Sequence, residues 1–361
     1  MKRSGEIIAR TFLAVGLAIC ARTAAAQSSA ITRDFAAEIQ TELRAVVGAA
    51  GDEFPRAALQ LCVAPPSVAA DTTDREPPYY TSGYATMPRD RWYVEPARVF
   101  DNLYFVGDRE QSAWALVTTD GIILLDTNYP FRLDDVVLAG MQKLGLDPGR
   151  LRYVLVSHAH GDHLGGAKTL QARYGARVVM GEADWDLVAR FPKRYSTMAP
   201  RRDIVATDGM AITLGGTTVH VWLTPGHTPG TLSFTFPVLD RGARVTVAYS
   251  GGTGFNFPNN TPEVGIPAFR TYVESQQRMA ELAARAGATV LLTNHAWADN
   301  TLNRIRMIAG RGAGKHPFDI GAEWVQRYFR VTAGCARVAQ LRLEQRQAEA
   351  ARPLGAPPRR E

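Results

Sequence analysis

The sequence predicts an α/β fold of four layers, in the order helix, sheet, sheet, helix. Two rounds of short apolar runs separated by turns, the pattern of strands, occupy 99–190 and 211–293, and each is closed by stretches of helical periodicity. Histidines gather where the apolar runs end. A length of 361 residues with 46% hydrophobic and 21% charged content supplies a core large enough for such layers and excludes a fibre or a disordered chain. Periodicity alone also permits other α/β arrangements, and the metal motif, through the resemblance given below, decides between them.

In chain order, residues 1–26 are expected to be a secretory signal peptide. Lys2, Arg3 and Arg10 precede an unbroken apolar run over 12–21, and Ala24 and Ala26 fit a small-residue cleavage site before Gln27. A lipoprotein signal at Cys20 fits less well, because bulky Ile19 stands where a small residue is needed. The mature chain is therefore expected to be secreted or periplasmic. Its removal of four basic and one acidic residues lowers the formal charge from +6 to +3, and no basic cluster interleaved with aromatics remains, so nucleic-acid binding is not expected. No apolar run reaches the roughly 20 residues of a membrane-spanning helix, so a soluble protein without a membrane partner is expected. Cys62 and Cys335 remain in the exported chain and could pair, although sequence does not show whether they come within bonding distance.

Residues 27–95 read as an N-terminal extension rich in Ala, Pro and Tyr, punctuated by Pro65-Pro66 and Pro77-Pro78, with one short helical pattern over 35–47. The main domain is expected over 96–345. Strands are predicted at 103–106, 113–117 and 122–126, a helix at 133–144, and a strand at 153–157 that runs straight into His158-Ala159-His160-Gly161-Asp162-His163. The following helix aligns Leu164, Ala167, Leu170 and Tyr174 and ends at Gly175, a residue suited to a left-handed cap. A strand at 178–180 and a helix at 184–190 complete the first round. The second has strands at 211–214, 219–223, 231–236 and 244–249. A long helix follows with Pro267 in its first turn and Gly287 at its end, then a strand at 289–293 that delivers Asn294-His295. A last helix starts at Glu323, and 346–361, rich in Pro and Arg, is expected to be a disordered tail.

Of the seven histidines, His158, His160, His163, His227 and His295 sit at strand ends or in tight turns flanked by Gly, Pro or Asp. His220 alternates with Val219 and Val221 and reads as a sheet-face side chain, while His316 before Pro317 reads as a loop residue. His158 and His160 leave a strand two residues apart and can project to one side, Gly161 lets the chain bend, and Asp162 and His163 open a helix. His227 lies in the rigid turn Thr224-Pro225-Gly226-His227-Thr228-Pro229-Gly230. Imidazole and carboxylate ligands in such numbers suit zinc, and three protein ligands per ion leave a place for water.

The His-x-His-x-Asp-His motif, the Gly-His-Thr-Pro-Gly turn and a later His at a strand end resemble the metallo-β-lactamase superfamily, over about 99–295. The resemblance implies the four-layer αββα sandwich of that family and two Zn2+ per chain. One zinc would be held by His158, His160 and His227 and the other by Asp162, His163 and His295, with Asp126 orienting a ligand. Use of both Asp162 and His163 without a Cys is similar to the third subclass of class B metallo-β-lactamases, as are 123–126 and 290–295. The implied activity is hydrolysis of a β-lactam amide by a hydroxide bridging the two metals, with Asp162 as catalytic residue and a small molecule as the partner. Substrate contacts are expected near Thr253 and Asn256.

Two departures bear on substrate. Many superfamily members bridge the metals with an Asp at the strand end before the long helix, where this chain has Tyr249-Ser250-Gly251-Gly252-Thr253. Without that carboxylate the lactamase reading is favoured over the alternative, a lactone, ester or thioester hydrolase. The third subclass usually places Asp-Ser at that strand end and a further Ser on the substrate carboxylate, where Gly251, Gly252 and Gly254 stand here. A mononuclear iron oxygenase would not need six ligands, and a non-catalytic structural zinc site would favour Cys.

Overall fold

The protein is described by a computed structural model over residues 33–63, 67–75 and 83–351. The expected signal peptide, Pro65-Pro66, Pro77-Pro78 and residues 352–361 of the expected tail lie outside the described residues. Two sheets form the centre. The first runs β1 (Ala97–Arg98), β2 (Leu103–Phe105), β3 (Trp114–Thr118), β4 (Gly121–Leu125), β5 (Leu151–Leu155), β6 (Arg177–Gly181) and β7 (Ile204–Ala206), in spatial as in chain order. It is an antiparallel meander as far as β4 and parallel from there to β7. The second sheet has the order β12 (Val290–Thr293), β11 (Ala243–Ser250), β10 (Leu232–Asp240), β9 (Thr217–Leu223) and β8 (Ala211–Leu214), with only β11 and β12 parallel.

Period-two alternation sorts each strand between two cores. Leu103, Phe105, Trp114, Ile123 and Leu155 of the first sheet meet Val221, Phe234, Val247 and Leu292 of the second in the middle layer. The alternate residues Ala115, Leu124, Val154 and Val178 turn outward onto Leu133, Val137, Leu170 and Trp185 of the covering helical segments. This explains why β4 reads as an unbroken apolar run: every residue of it is buried, on one face or the other.

The helices are α1 (Phe35–Ala50), α2 (Pro55–Cys62), α3 (Arg89–Trp92), α4 (Ala139–Lys143), α5 (Gly161–Leu164), α6 (Ala167–Tyr174), α7 (Glu182–Arg190), α8 (Pro262–Arg285), α9 (Thr301–Ile308) and α10 (Ala322–Ala350). On the outside of the second sheet α1 and α2 pack with α8 and α10 around Phe54, Phe269, Tyr272 and Tyr328. The N-terminal segment is thus part of the outer helical layer. A disulfide joins Cys62 of α2 to Cys335 of α10, with Cα atoms 4.6 Å apart.

Three elements differ from the expectation. The long helix begins at Pro262, and Pro267 lies inside it. Glu263, whose carbonyl would have bonded the missing N–H, and Pro267 itself are both exposed, so water satisfies what the ring removes. The predicted helix over 133–144 is wound as a π-helix over Leu133–Leu138 before α4. The last helix continues to Ala350, past residue 345 where a disordered tail was expected, because Leu341 and Leu343 still bury against the helical layer.

Candidate metal centre

Every candidate ligand lies at one rim of the sandwich, because parallel neighbours end together. His158 and His160 follow β5, Asp162 and His163 belong to α5, His227 lies in the turn from β9 to β10, and His295 follows β12. The turn can close only with glycine at 226: its φ is 144°, and a Cβ there would come 2.8 Å from the Tyr272 backbone.

The first three histidines converge. His158, His160 and His227 each offer a nitrogen within 4.8 Å of the others, and His160 Nδ1 lies 3.1 Å from His227 Nε2. Backbone carbonyls fix the opposite ring nitrogens: His158 Nδ1 donates to Gly251 O at 2.9 Å and His227 Nδ1 to Gly254 O at 2.9 Å. Those bonds leave Nε2 of each as the lone-pair nitrogen, facing the centre. His158 Nε2 is buried and has no hydrogen-bond partner, an arrangement that fits a metal ligand. Burial lowers all three, His160 to about 4 against the opposing charge of Asp162, so the imidazoles are neutral at pH 7.

The second group is built around a carboxylate. Asp162 Oδ2 stands 3.2 Å from His163 Nε2 and 3.9 Å from His295 Nε2. Asp162, His163 and His158 again bring ligand atoms within 4.8 Å, with His295 further out and partly exposed. His295 Nδ1 reaches Glu110 O at 3.2 Å, which turns its Nε2 toward Asp162. Burial opposes charge on His163, but Asp162 and Asp126 outweigh it and push this imidazole up to about 10. Burial likewise opposes ionisation of Asp162, yet His163 and then His295 hold it well below the usual carboxylate range. Positive charge is therefore favoured between Asp162 and His163, where a proton or a divalent cation can supply it.

Asp126 lies directly behind this group, fully buried at the end of β4 with φ 58°. It accepts from Ser157 N at 2.7 Å, Ser157 Oγ at 2.8 Å, Tyr249 OH at 2.7 Å and His163 Nδ1 at 3.0 Å. Thr253, where substrate contact was expected, is buried and donates to Asn294 Oδ1 at 2.6 Å. Asn256 is exposed and lines the cavity in front of the ligands. His220 is exposed on β9, and His316 is buried against Phe100 with Nε2 donating to Val99 O, both away from the centre.

Sequence reasoning did not single out Asp184 or Arg194. Asp184, in the first turn of α7, accepts from Ala159 N, Thr228 Oγ1 and Gly230 N, tying the His158–His160 loop to the His227 turn. Burial pushes it up to about 6. Its partners are 25 and 44 or more residues away, and only its acidic character in an apolar helical pattern hinted at a role. The glycine at 251 also has a structural cause: a Cβ there would lie 1.8 Å from Leu232 O and 3.0 Å from Ser157 Cβ. No carboxylate-bearing residue fits at position 251.

The profile of the metallo-beta-lactamase superfamily matches residues 106–295, a span that contains all six candidate ligands. The chain belongs to the metallo-beta-lactamase superfamily. Among superfamily relatives, a hydroxyacylglutathione hydrolase of Acidiphilium cryptum is 34% identical over 147 residues, 41% of this chain and 51% of that enzyme. The chain spans about half the length of the curated relatives it matches. Among solved structures, BJP-1, a subclass B3 metallo-beta-lactamase of Bradyrhizobium japonicum, is 25% identical with a TM-score of 0.57, over 71% of this chain and 95% of that one. Native FEZ-1 from Legionella gormanii shares the fold at 22% identity and a TM-score of 0.58, over 70% and 97%.

Proposed function

We propose that this protein is an exported two-zinc hydrolase that opens the amide of a β-lactam ring. The reading is carried by one observation: two convergent ligand groups, with Asp162 and His163 both directed at the second, and a Gly251 whose surroundings exclude a bridging carboxylate. When bound, two zinc ions would polarise the scissile carbonyl and bring the pKa of water near neutrality. His158, His160 and His227 would hold one ion, and Asp162, His163 and His295 the other. Asp162 would have a second task at its other carboxylate oxygen, orienting the attacking water. Asp126 keeps the His163 proton on Nδ1, so that Nε2 faces the centre. The cavity in front, about 520 Å³, is lined by Tyr129, Leu187, Tyr195, Met198 and Phe257 together with His160, Asp162 and His227. Its size suits a small molecule, and Leu187, Met198 and Phe257 give it an apolar wall beside the ligands. The disulfide between Cys62 and Cys335 supports an oxidising compartment.

A thioester substrate is the second reading, favoured by the hydroxyacylglutathione hydrolases among the relatives. The zinc-loaded mature protein should be assayed on nitrocefin, a lactone series and S-lactoylglutathione. Turnover of nitrocefin well above the other two supports the first reading. Preference for the thioester replaces it with the second.

A further inference from the structure

Residues 67–75 of the N-terminal extension run along the cavity, and Val68, Ala69, Ala70 and Asp71 form part of its wall. Hydrogen bonds hold this strap at both ends. Val68 O accepts from Asn259 N at 2.8 Å and Asn260 N at 3.1 Å, and Val68 N donates to Asn259 Oδ1 at 2.8 Å. At the other end Asp74 Oδ1 accepts from Lys193 N and Arg194 N at 2.8 and 2.9 Å. None of these bonds uses the Arg194 side chain.

The Arg194 guanidinium is the single Lys or Arg side chain among the described residues that line the cavity. It carries five N–H donors in a planar fork matched to a carboxylate. One of them, on Nη1, meets Asp71 Oδ2 at 2.9 Å. The opposite oxygen of Asp71 is held by its own chain, accepting from Thr73 N at 3.0 Å and Thr73 Oγ1 at 2.7 Å. A fixed carboxylate is thus presented to the only basic fork of a cavity that also contains candidate metal ligands.

We infer that Arg194 is the substrate-carboxylate subsite of this cavity, and that Asp71 of the strap occupies it in the free protein as an internal competitor. The inference rests on the cavity being the substrate site proposed above and narrows the substrate class to anionic compounds. Two opposite consequences follow. Removing Arg194 removes the anion's partner, whereas neutralising Asp71 removes its rival. A pair that only stapled the strap would respond alike to either change, since each breaks the same bond.

The test is a binding measurement on protein whose zinc content has first been established. Calorimetric affinities are measured for a mercaptoalkanoate series, mercaptoacetate to mercaptohexanoate, and for the corresponding neutral mercaptoalcohols. The quantity read is the ratio of carboxylate to alcohol affinity at the best chain length. Arg194→Ala should lower this ratio about 10- to 100-fold, the range for a charge-assisted hydrogen-bonded pair. Arg194→Lys, which keeps the charge but not the fork, should fall between, and it serves as the readout should the alanine variant not fold. Asp71→Asn should raise the ratio, by about threefold or more. A ratio that stays at the wild-type value in Arg194→Ala or Arg194→Lys, or that falls in Asp71→Asn as well, overturns the assignment and leaves a staple. Because the readout is binding, absence of β-lactam turnover counts against the proposed reaction and not against Arg194.

Discussion

Asp126→Asn probes the link between the buried polar network and the candidate metal site. The native carboxylate accepts four hydrogen bonds, one at Oδ1 from Ser157 N and three at Oδ2 from Ser157 Oγ, Tyr249 OH and His163 Nδ1. A carboxamide has one oxygen. If it lies at the Oδ1 position, its NH2 faces Ser157 Oγ and Tyr249 OH, which can rotate to accept, and His163 Nδ1–H, which cannot. The imidazole must then move its proton to Nε2 and lose its lone pair toward the metal. If the amide is flipped, the NH2 meets Ser157 N–H across 2.7 Å, donor against donor. Either way at least one fully buried donor is left without a partner and a charged acceptor is lost, which should cost about 2–4 kcal/mol of stability. Zinc affinity at the second position should fall about 10- to 100-fold. Urea unfolding of the metal-free protein reads the first effect, and chelator competition reads the second, so that ligand binding does not contaminate the stability value. Tyr249→Phe, which removes one donor but leaves the His163 bond, should lose stability with far less effect on zinc. Loss of less than about 0.5 kcal/mol together with unchanged zinc affinity in Asp126→Asn would refute this account of His163.

Metal analysis of the mature protein should give about two zinc ions per chain, and a value that stays near one at saturating zinc would contradict two ligand groups. Asp162→Asn should reduce hydrolysis by about 10²- to 10⁴-fold with the second metal weakened, whereas activity within about threefold of wild type at full zinc occupancy would restrict Asp162 to a structural role in the first turn of α5. Gly251→Ala should destabilise by about 3 kcal/mol or more, because its Cβ meets the Leu232 carbonyl, and thermal unfolding at an unchanged temperature would be inconsistent with that contact. Opening the disulfide with Cys62→Ser and Cys335→Ser should lower stability by up to about 5 kcal/mol in the chain-entropy account, given a separation of 273 residues. An identical urea midpoint for the double variant would exclude it.

The chain's own sequence made the strands and the ligand motif legible, because each is a local pattern, and the fold class followed from the resemblance that the motif carries. His158, His160, Asp162 and His163 fall within six consecutive residues after an apolar run, and the His227 turn is marked by its prolines and glycines. Asp126 was visible for the same reason, as the acid that ends β4. Helix starts were less legible where two signals competed: Pro262 and Pro267 are both acceptable near an N-terminus, and exposure of the second turn let the helix begin at the first.

What only the tertiary structure decided is what depends on contacts between distant segments. The pairing of Cys62 with Cys335 required α2 to lie on α10, and Asp184 acquired its role when the two ligand loops met over α7. Thr253 looked available in the sequence, yet packing turned it toward Asn294, and Gly251 looked like a simple omission until the Leu232 carbonyl was found where a side chain would go. The strap along the cavity joins Val68 to Asn259 and Asp71 to Arg194, partners 191 and 123 residues apart. Periodicity fixes which face of an element is apolar, but the identity of the atom across a hydrogen bond is set by how the layers close, and no local pattern encodes that.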